Sequence, residues 1–554
     1  MSVIWKARGN YETVRDAVLS QTGVSIEELQ SPVLEDPREI NEMLEATSEV
    51  VQAILNKRPI TIVGDYDSDG LNATAILVKL LNYYSVTPQA IIPRRMTEGY
   101  GLSQPIVERI PDGNLVITID NGITAVEEVE LLSSKGCTVI IMDHHLPGED
   151  LPSADFLIDP HVDPEANGFR YYCGAGLGLQ MARLMLETDQ TEPAQRLMKE
   201  LTVHAAIATI TDVMPLLGCN RAIVKQGLYL MNHELSSLSA GLQALRSAAG
   251  EAPFSEDAIG YKLGPIINAP ARLYDAGGTS VLKELTCWDV NNAQAYMSKM
   301  LEINEARKQL VQEHLLRVVA LIEDEGLLDR GAPLCVSCPQ LPEGIIGIVA
   351  GKVAELYQIP AFIFSECAEP GVLKGSGRSN GGMDLTPLLD AARHLAVKCG
   401  GHAGAAGISV EQAKFTKMAE AMRKAAQEAT GGLFDHHDIT YEYDVELCPE
   451  LAAEALSEVR LYAPYGEGVH KPVFLIRGFE TVMKFGAPYR FMGQNKDHLK
   501  LNGQYLDAIG FGMGEKYCEM GMPLKVDILC TLGENVYQGK SSIQAEIVDF
   551  RPAV

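Results

Sequence analysis

Three short apolar runs in the first 150 residues constrain the fold of this chain more than any other feature of its sequence. The runs are Ile60–Val63, Leu115–Ile119 and Thr138–Met142. Each is rich in β-branched residues and carries no charge, which is typical of strands buried on both faces of a parallel sheet. Because amphipathic stretches separate the runs, the pattern predicts βαβ units and an α/β fold.

An aspartate closely follows each of these runs, and a histidine pair follows the third. The residues concerned are Asp65, Asp67, Asp120, Asp143, His144 and His145. The carboxyl ends of parallel strands meet at one edge of a sheet, where α/β proteins bind their ligands. Clustered carboxylates repel one another unless cations neutralise them, and carboxylate with imidazole suits Mn²⁺ or Mg²⁺ better than zinc. The pattern therefore predicts a hydrolase with two such ions about 3.5–4 Å apart, clamping a phosphoryl group.

Two nearby features have a plainer interpretation. Asp69 stands where the helix after the first strand should begin, so we interpret it as the N-cap of that helix. The triplet Asp-His-His occurs again at residues 435–437, where it follows two glycines instead of an apolar strand. We interpret this second copy as a solvated connector.

Composition limits the classes of protein to consider. A chain of 554 residues is long enough for three or four domains. Its formal net charge of −27 argues against a broad DNA-coating surface but is compatible with a local basic channel. No apolar stretch approaches the roughly 18 residues of a membrane span, and no signal peptide is recognisable, so we expect a cytoplasmic protein without membrane contact. The one CxxC, Cys335 to Cys338, has no further ligands nearby and is interpreted as two buried thiols.

The rest of the chain divides into a long helix and two further domains. Neither glycine nor proline occurs between Gly278 and Gly326, and apolar residues keep helical spacing there, which predicts one helix of about 36 residues. The next hundred residues predict a second, smaller α/β unit, and short alternating strands from about residue 440 predict a small β-barrel. Tyr465 and Phe474 are interpreted as core of that barrel. The predicted domain ranges are 1–285, 286–327, 328–432 and 433–554.

The motifs, taken in order, resemble those of one enzyme superfamily. DYDSDG, EGYGL, DNG, DHH and CGAG, at residues 65–70, 98–102, 120–122, 143–145 and 173–176, resemble the DHH phosphoesterase superfamily. GSGRS at 375–379 and GGHAGAAG at 400–407 are similar to its DHHA1 partner domain, and the strand-rich tail resembles the OB-type domain of bacterial RecJ exonucleases. The resemblance implies a parallel-sheet DHH domain joined by a long helix to a smaller α/β DHHA1 domain, followed by an OB-like β-barrel. It also implies metal-dependent hydrolysis of single-stranded DNA from the 5′ end, releasing mononucleotides, in DNA repair and recombination.

The resemblance further implies roles for individual residues of this chain. For one ion, the implied ligands are Asp65 and Asp120. For the other ion, they are Asp67, Asp120, His144 and Asp212. Asp143 would orient the histidine pair, and His145 would face the scissile phosphate. The residues implied around the terminal 5′-phosphate are Arg95, Arg272, Ser376 and Arg378. His402 matches the glycine-flanked histidine of DHHA1 and is implied to bind the substrate or its phosphate. Two Mn²⁺ or Mg²⁺ ions are the expected cofactors. The expected partners are single-stranded DNA, a single-stranded-DNA-binding protein and a helicase, with the protein itself a monomer.

Three alternatives remain open at this point. DHH–DHHA1 proteins also include phosphodiesterases of short oligonucleotides or cyclic dinucleotides, but residues 440–554 argue against that smaller type. A non-catalytic replication or repair scaffold is a second alternative, opposed by the complete set of ligand-type residues. A family-II-type pyrophosphatase is the least favoured, since such enzymes carry a histidine four residues before the first aspartate, where this chain has Thr61. The chain also departs from the resemblance at Ser68, where alanine is usual.

Overall fold

The computed structural model describes residues 3–165, 167–250, 253–379, 383–430, 439–493, 495–537 and 540–553. The chain packs into two compact units. Residues 35–212 and 226–437 form one, which we call the α/β unit. Residues 1–34, 213–225 and 438–554 form the other, which we call the β-rich unit. The second Asp-His-His triplet, at 435–437, lies outside the described residues.

A five-stranded parallel sheet organises the first part of the α/β unit. Its strands, in order of pairing, are Gln89–Ile91, Ile60–Val63, Leu115–Ile119, Thr138–Met142 and Phe156–Ile158. The three apolar runs singled out from the sequence are the three central strands of this sheet, and they are almost entirely buried. This burial confirms the prediction of a buried parallel sheet. The physical reason is that continuous apolar runs are stable in strands that are covered on both faces.

Helices make up most of the remaining chain up to residue 285. They are Met43–Leu55, Ser68–Tyr83, Gln104–Glu108, Val126–Ser134, Gly174–Met185, Glu192–Thr211, Gly218–His233, Ala240–Ala248, Glu256–Ala258, Gly264–Leu273 and Gly277–Leu285. A π-helical turn, Ile259–Leu263, leads into the helix Gly264–Leu273. The helices Ser68–Tyr83 and Glu192–Thr211 share a core that includes Leu71, Ala75 and Ile207. This packing places the start of the first helix beside the end of the second.

A single helix, Val290–Asp324, runs for 35 residues and confirms the predicted long helix. A second five-stranded sheet follows, with the order Ala396–Gly401, Ala405–Glu411, Val372–Arg378, Ala361–Glu366 and Leu334–Ser337. Only its last pair of strands is parallel. The helices of this part are Ile346–Tyr357, Thr386–Arg393 and Phe415–Thr430. Cys335 and Cys338 are both buried, as interpreted from the sequence.

The β-rich unit contains a mixed seven-stranded sheet. Its strands, in order of pairing, are Val445–Glu446, Phe474–Glu480, Lys525–Tyr537, Lys540–Pro552, Asp507–Gly510, His498–Leu501 and Tyr489–Met492. Its helices are Val14–Thr22, Ile26–Gln30, Ala452–Leu461 and Gly514–Glu519. Tyr465 and Phe474 are both buried, which agrees with their interpretation as core residues. Over the described residues, none of the helices has the length and apolar character that crossing a bilayer requires.

The β-rich unit takes in two segments that the predicted domain ranges assign to the first domain. The strand Val3–Ala7 pairs in parallel with Ile439–Tyr443. Arg221, with no exposed surface, donates hydrogen bonds to the backbone oxygens of Leu29 at 2.6 Å, Tyr462 at 2.7 Å and Pro464 at 2.9 Å. The compact units therefore differ from the ranges 1–285 and 433–554. These contacts join residues hundreds of positions apart, and no local pattern in the sequence reveals them.

Candidate metal centre

The candidate site lies at the carboxyl ends of the central strands of the parallel sheet. Asp65, Asp120 and Asp143 follow the strands Ile60–Val63, Leu115–Ile119 and Thr138–Met142, and all three side chains are buried. These strands are adjacent and parallel, so their ends open onto the same edge. The fold thus brings together aspartates that are up to 78 positions apart in the chain.

The loop after the first strand carries two more carboxylates. Asp67 is the N-cap of the helix Ser68–Tyr83, and its side chain accepts a hydrogen bond from the backbone N–H of Gly70 at 3.1 Å. The interpretation of Asp69 as the cap is therefore wrong by two residues. Asp69 lies in the first helical turn, where it accepts hydrogen bonds from the backbone N–H groups of Gly174 at 2.6 Å and Ala175 at 2.8 Å.

Gly174 shows why the CGAG motif needs a glycine at this position. A Cβ atom there would lie 2.6 Å from Cβ of Asp120, closer than real Cβ atoms approach. The start of the helix Gly174–Met185 can therefore approach Asp120 only because the residue has no side chain. The same helix terminus binds Asp69, so one element positions two of the carboxylates.

The ligand-type atoms form overlapping groups in which all atoms lie within 4.8 Å of one another. The groups are Asp65 with Asp67 and Asp120, Asp69 with His144 and Asp212, and Asp120 with His144 and His145. His144 Nε2 is 3.0 Å from Asp120 Oδ1 and 3.6 Å from both Asp69 Oδ2 and Asp212 Oδ2. Two cation positions that share Asp120 fit this geometry.

The grouping differs from the implied ligand sets in one respect. Asp67 lies with Asp65, because residues i and i+2 of extended backbone point to the same side. Asp69 takes the place beside His144 and Asp212 that the resemblance gave to Asp67. Sequence reasoning missed Asp69 because it placed the cap two residues too late. The alternating aspartates of DYDSDG were the available signal.

The electrostatics of the cluster favour bound cations. Burial, followed by the neighbouring charge of Asp67, raises the pKa of Asp65 well above its ordinary value, and burial with Asp69 does the same to Asp120. Burial and the charges of Asp69 and Asp67 raise the pKa of Asp212 to about 8. Asp65 Oδ1 is buried with no hydrogen-bond partner among the described residues. Two divalent cations fit this site, because they would bind the unpartnered oxygen and relieve the repulsion.

The two histidines of the DHH motif have different environments. The side chain of His144 is only 9% exposed, and burial lowers its pKa, so the ring is neutral and can offer a lone pair to a metal. The side chain of His145 is 47% exposed, and its Nδ1 lies 2.7 Å from Asp143 Oδ1. Burial lowers the pKa of His145, but the hydrogen bond and charge of Asp143 outweigh it and raise the pKa to about 9. His145 is therefore a cation that Asp143 orients.

Tyr100, from the EGYGL motif, also reaches this site. Its hydroxyl donates to the backbone oxygen of Asp120 at 3.0 Å and lies 3.3 Å from His145 Nε2. The motif alone does not reveal a role for this tyrosine. Its contacts place it between the bridging aspartate and the exposed histidine.

Several partly buried arginines lie near the cluster. Burial and the charges of Arg95 and Arg307 lower the pKa of Arg272 to about 10, which shows that these guanidinium groups repel one another. Arg95 lies over the ring of Tyr66, 5.0 Å from its centroid. Arg307, from the long helix, was not singled out in the sequence, and its Nε has no hydrogen-bond partner among the described residues. Such a set of partly buried like charges suits an anion such as phosphate.

The second sheet contributes the remaining candidates. Arg378 Nη1 donates to Ser376 Oγ at 2.8 Å, and the charge of Arg378 also lowers the pKa of Arg272, behind burial and the other arginines. Ser376 and Arg378 thus belong to the same positively charged region as Arg272. His402 is exposed in the turn between two strands of this sheet, and Gly404 N–H donates to its Nδ1 at 3.3 Å. The contacts that the structure gives His402 are with its own turn.

Comparisons with known proteins agree with this arrangement. Three family models match the chain: the DHH family, N-terminal domain, over residues 59–209, the DHHA1 domain over 331–429, and the RecJ OB domain over 443–549. The single-stranded-DNA-specific exonuclease RecJ of Thermus thermophilus is 31% identical over 92% of this chain and 70% of its own length. The protein of that name from Bacillus subtilis is 29% identical over 93% of the chain, which spans only 64% of that relative's length.

A solved structure extends the similarity to the whole fold. The crystal structure of RecJ from Thermus thermophilus in complex with Mn²⁺ matches with a TM-score of 0.80 at 26% identity. The match covers 100% of this chain and 80% of that one. The long helix, both sheets of the α/β unit and the β-rich unit are thus shared with a protein that was crystallised with the ion predicted here.

Proposed function

This chain belongs to the RecJ family of single-stranded-DNA-specific exonucleases, and from that premise we propose that it hydrolyses single-stranded DNA from the 5′ end. The observation that carries the proposal is the cluster of carboxylates and His144, beside a group of partly buried arginines that repel one another. A phosphodiester needs both kinds of group, because its bond is cleaved by metal-assisted hydrolysis and its charge is bound by guanidinium.

The chain's own residues divide the work around the two ions. Asp65, Asp67 and Asp120 would hold one ion, and a second set would hold the other. That second set is Asp69, Asp120, His144 and Asp212. When bound, the ions supply Lewis acidity to the phosphoryl group and to the attacking water. Asp143 fixes the ring of His145, which donates a charge-assisted hydrogen bond to the scissile phosphate.

Direction requires a further pocket. A two-metal centre alone does not distinguish the ends of a strand, because both present the same diester to the ions. Arg95, Arg272, Ser376 and Arg378 supply that pocket, since guanidinium forks and a hydroxyl bind a dianionic 5′-phosphate through charge-assisted hydrogen bonds. The terminal nucleotide is then released as a 5′-mononucleotide.

The direct test follows single strands that carry a label at one end. The full-length protein is incubated with 5′-labelled or 3′-labelled strands in Mn²⁺, Mg²⁺ or EDTA. We expect the 5′ label to appear at once as a mononucleotide, the 3′ label to stay on shortening strands, and EDTA to stop both reactions. Degradation from the 3′ end, or in EDTA, would contradict the proposal.

Matched variants separate the metal site from the rest of the chain. Asp67→Ala and Asp120→Ala should abolish activity and leave the circular dichroism spectrum unchanged, because each removes a ligand. The second Asp-His-His triplet offers the control: replacing His436 and His437 with alanine should leave activity almost unchanged. Activity of either aspartate variant within about tenfold of wild type would refute the two-ion assignment.

Arg378 tests the pocket for the 5′ end. Arg378→Ala should reduce the preference for 5′-phosphorylated over 5′-hydroxyl strands and leave the Mn²⁺ requirement unchanged. Arg378→Lys should restore the preference only in part, because an ammonium keeps the charge but loses the planar fork. Undiminished end discrimination in the alanine variant would show that the pocket lies elsewhere.

The proposal extends to the cellular setting. Single strands are produced by helicases and covered by single-stranded-DNA-binding proteins, so we propose that the enzyme acts with both, as a cytoplasmic monomer. Sedimentation of the pure protein tests the monomer, and degradation of strands coated with a binding protein tests the partnership. A dimer in sedimentation, or complete inhibition by the coating protein, would overturn these parts.

A further inference from the structure

The tip of one hairpin in the β-rich unit has an unusual residue in a demanding position. Lys484 and Ala487 exchange both backbone hydrogen bonds, at 3.1 and 3.2 Å, and so close a two-residue turn. The residues between them, Phe485 and Gly486, have φ values of +52° and +86°. Two successive positive φ values define a type I′ turn, whose first position favours asparagine, aspartate or glycine. A phenylalanine is strained there and would not be chosen for the turn itself.

The same residue is also unusual in its exposure. The Phe485 side chain is 89% exposed, more than any other large hydrophobic residue that the structure describes. Packing therefore cannot account for it, since almost none of the ring is removed from water. Because neither the turn nor the core requires this phenylalanine, its ring suggests binding of another molecule.

The surroundings of Phe485 indicate what the ring could bind. The guanidinium of Arg490 lies 5.3 Å from the ring centroid, which leaves most of the ring open. Residues 481–507 contain four lysines and arginines against two aspartates, in a chain whose net charge is −27. A flat apolar ring beside a local excess of positive charge matches a nucleobase attached to a phosphodiester backbone.

We infer that Phe485 is a stacking platform for a base of the single-stranded substrate, with Arg490 close enough to bind an adjacent phosphate. The inference rests on the proposed function and adds to it a residue that neither the motifs nor the comparisons identify. Stacking uses the face that every base offers, so the contact would strengthen binding without sequence preference. Tyr465 and Phe474, the aromatic residues considered from the sequence, are buried and cannot serve this purpose.

Phe485→Asn provides a test in which folding and binding change in opposite directions. Asparagine suits the first position of a type I′ turn, so the variant should melt at the same temperature as wild type or higher. Loss of the ring should weaken binding of a fluorescein-labelled oligothymidylate about tenfold, within the range for loss of one stacked base. Binding is measured by fluorescence anisotropy on the full chain in EDTA, so that the strand is not degraded.

Two further variants make the test specific. Tyr261→Ala removes an aromatic ring that is 82% exposed in the α/β unit, and it should bind the strand as wild type does. Phe485→Trp should retain affinity, and its additional tryptophan emission should be quenched when the strand binds. The emission of Trp5 and Trp288 is subtracted with wild-type protein.

The affinity and the emission of the Phe485 variants separate the stacking role from the proposed function. Unchanged affinity of Phe485→Asn, or unquenched emission of Phe485→Trp at saturating strand, would overturn the inference and would mean that the ring serves another partner. If wild-type protein neither binds nor degrades single strands, the proposed function itself fails. Binding by wild type together with unaffected Phe485 variants would reject the stacking role alone.

Discussion

At the scale of single residues, two fully buried glutamates of the α/β unit differ in their partners. Glu200 accepts hydrogen bonds from Lys79 Nζ at 2.5 Å and from the backbone N–H of Ser239 at 2.8 Å. Glu284 is equally buried, but neither of its carboxylate oxygens has a partner among the described residues. Burial raises the pKa of Glu284 to about 8. Glu284 therefore favours its protonated form inside the fold.

Stability should depend on pH through Glu284. Between its unfolded pKa, near 4.5, and its folded pKa, about 8, the folded chain holds a proton that the unfolded chain has released. Its stabilising contribution is complete below the first value and is lost as pH rises through the second. Glu284→Gln should therefore melt above wild type at pH 9 and close to wild type at pH 5. A variant that melts below wild type at pH 9 would contradict this account.

Glu200→Gln is the matched control for that experiment. The substitution removes the charge that partners the buried ammonium of Lys79, so the variant should melt below wild type at both pH values. Opposite signs for the two variants at pH 9 would separate a paired buried carboxylate from an unpaired one. Equal signs would show that burial alone decides the effect.

Asp69 was predicted to cap a helix, but the structure places it beside His144 and Asp212 in the metal cluster. Asp69→Asn keeps an acceptor for the helix Gly174–Met185 but removes the charge beside His144. We expect half-maximal activity to need at least about tenfold more Mn²⁺, and the thermal stabilisation by Mn²⁺ to shrink. Asp112→Asn removes an exposed carboxylate and should change neither quantity. If the variant needs no more Mn²⁺ than wild type, Asp69 does not bind the ion and only holds the start of the helix Gly174–Met185 in place.

At the scale of elements, the helix Ile346–Tyr357 packs closely on the strand that carries Ser376 and Arg378. A Cβ added to Gly347 would lie 2.8 Å from Arg378 Nη2 and 3.2 Å from Ser376 Oγ. Gly347→Ala should therefore displace the flexible guanidinium, leave the fold intact and reduce discrimination between 5′-phosphate and 5′-hydroxyl strands. At Gly351 the added Cβ would lie 3.9 Å from Arg378 Cγ, an ordinary contact. Gly351→Ala should therefore retain wild-type discrimination, which is measured with paired substrates.

Elements are also the level at which the sequence was most informative. Continuous β-branched runs predicted the central strands, and the absence of glycine and proline predicted the helix Val290–Asp324, because both signals are local. The helix start at Asp67 was misplaced because three alternating aspartates offer three equally suitable caps. Only tertiary contacts with Gly174 and His144 decide which aspartate caps the helix and which lies beside His144. The role of Arg307 could not be predicted either, because a single arginine on a long helix has no local sequence signature.

At the scale of the whole molecule, the β-rich unit depends on segments from three parts of the chain. Arg221 lies in one of them and donates hydrogen bonds to backbone carbonyls of the other two. Arg221→Met should lower the free energy of unfolding of this unit by about 3 kcal/mol or more, because several buried carbonyls lose their donor together. Arg477→Ala, which breaks an exposed pair with Glu446, should cost less than about 1 kcal/mol. Denaturant unfolding with limited proteolysis of the β-rich unit as the readout measures the free energy of unfolding of both variants. An equal loss of free energy in the two variants would contradict the role of Arg221.

The parallel pairing of Val3–Ala7 with Ile439–Tyr443 has a consequence for synthesis of the protein. Arg8 and Asp444, which bond across this junction, are 436 positions apart. A ribosome that adds about 5–20 residues per second needs roughly 20–90 s to cover that distance. During this time the first strand has left the ribosome and its partner does not yet exist, so its edge is open to unwanted pairing. The strand Val3–Ala7 can therefore pair only after residues 439–443 have been made.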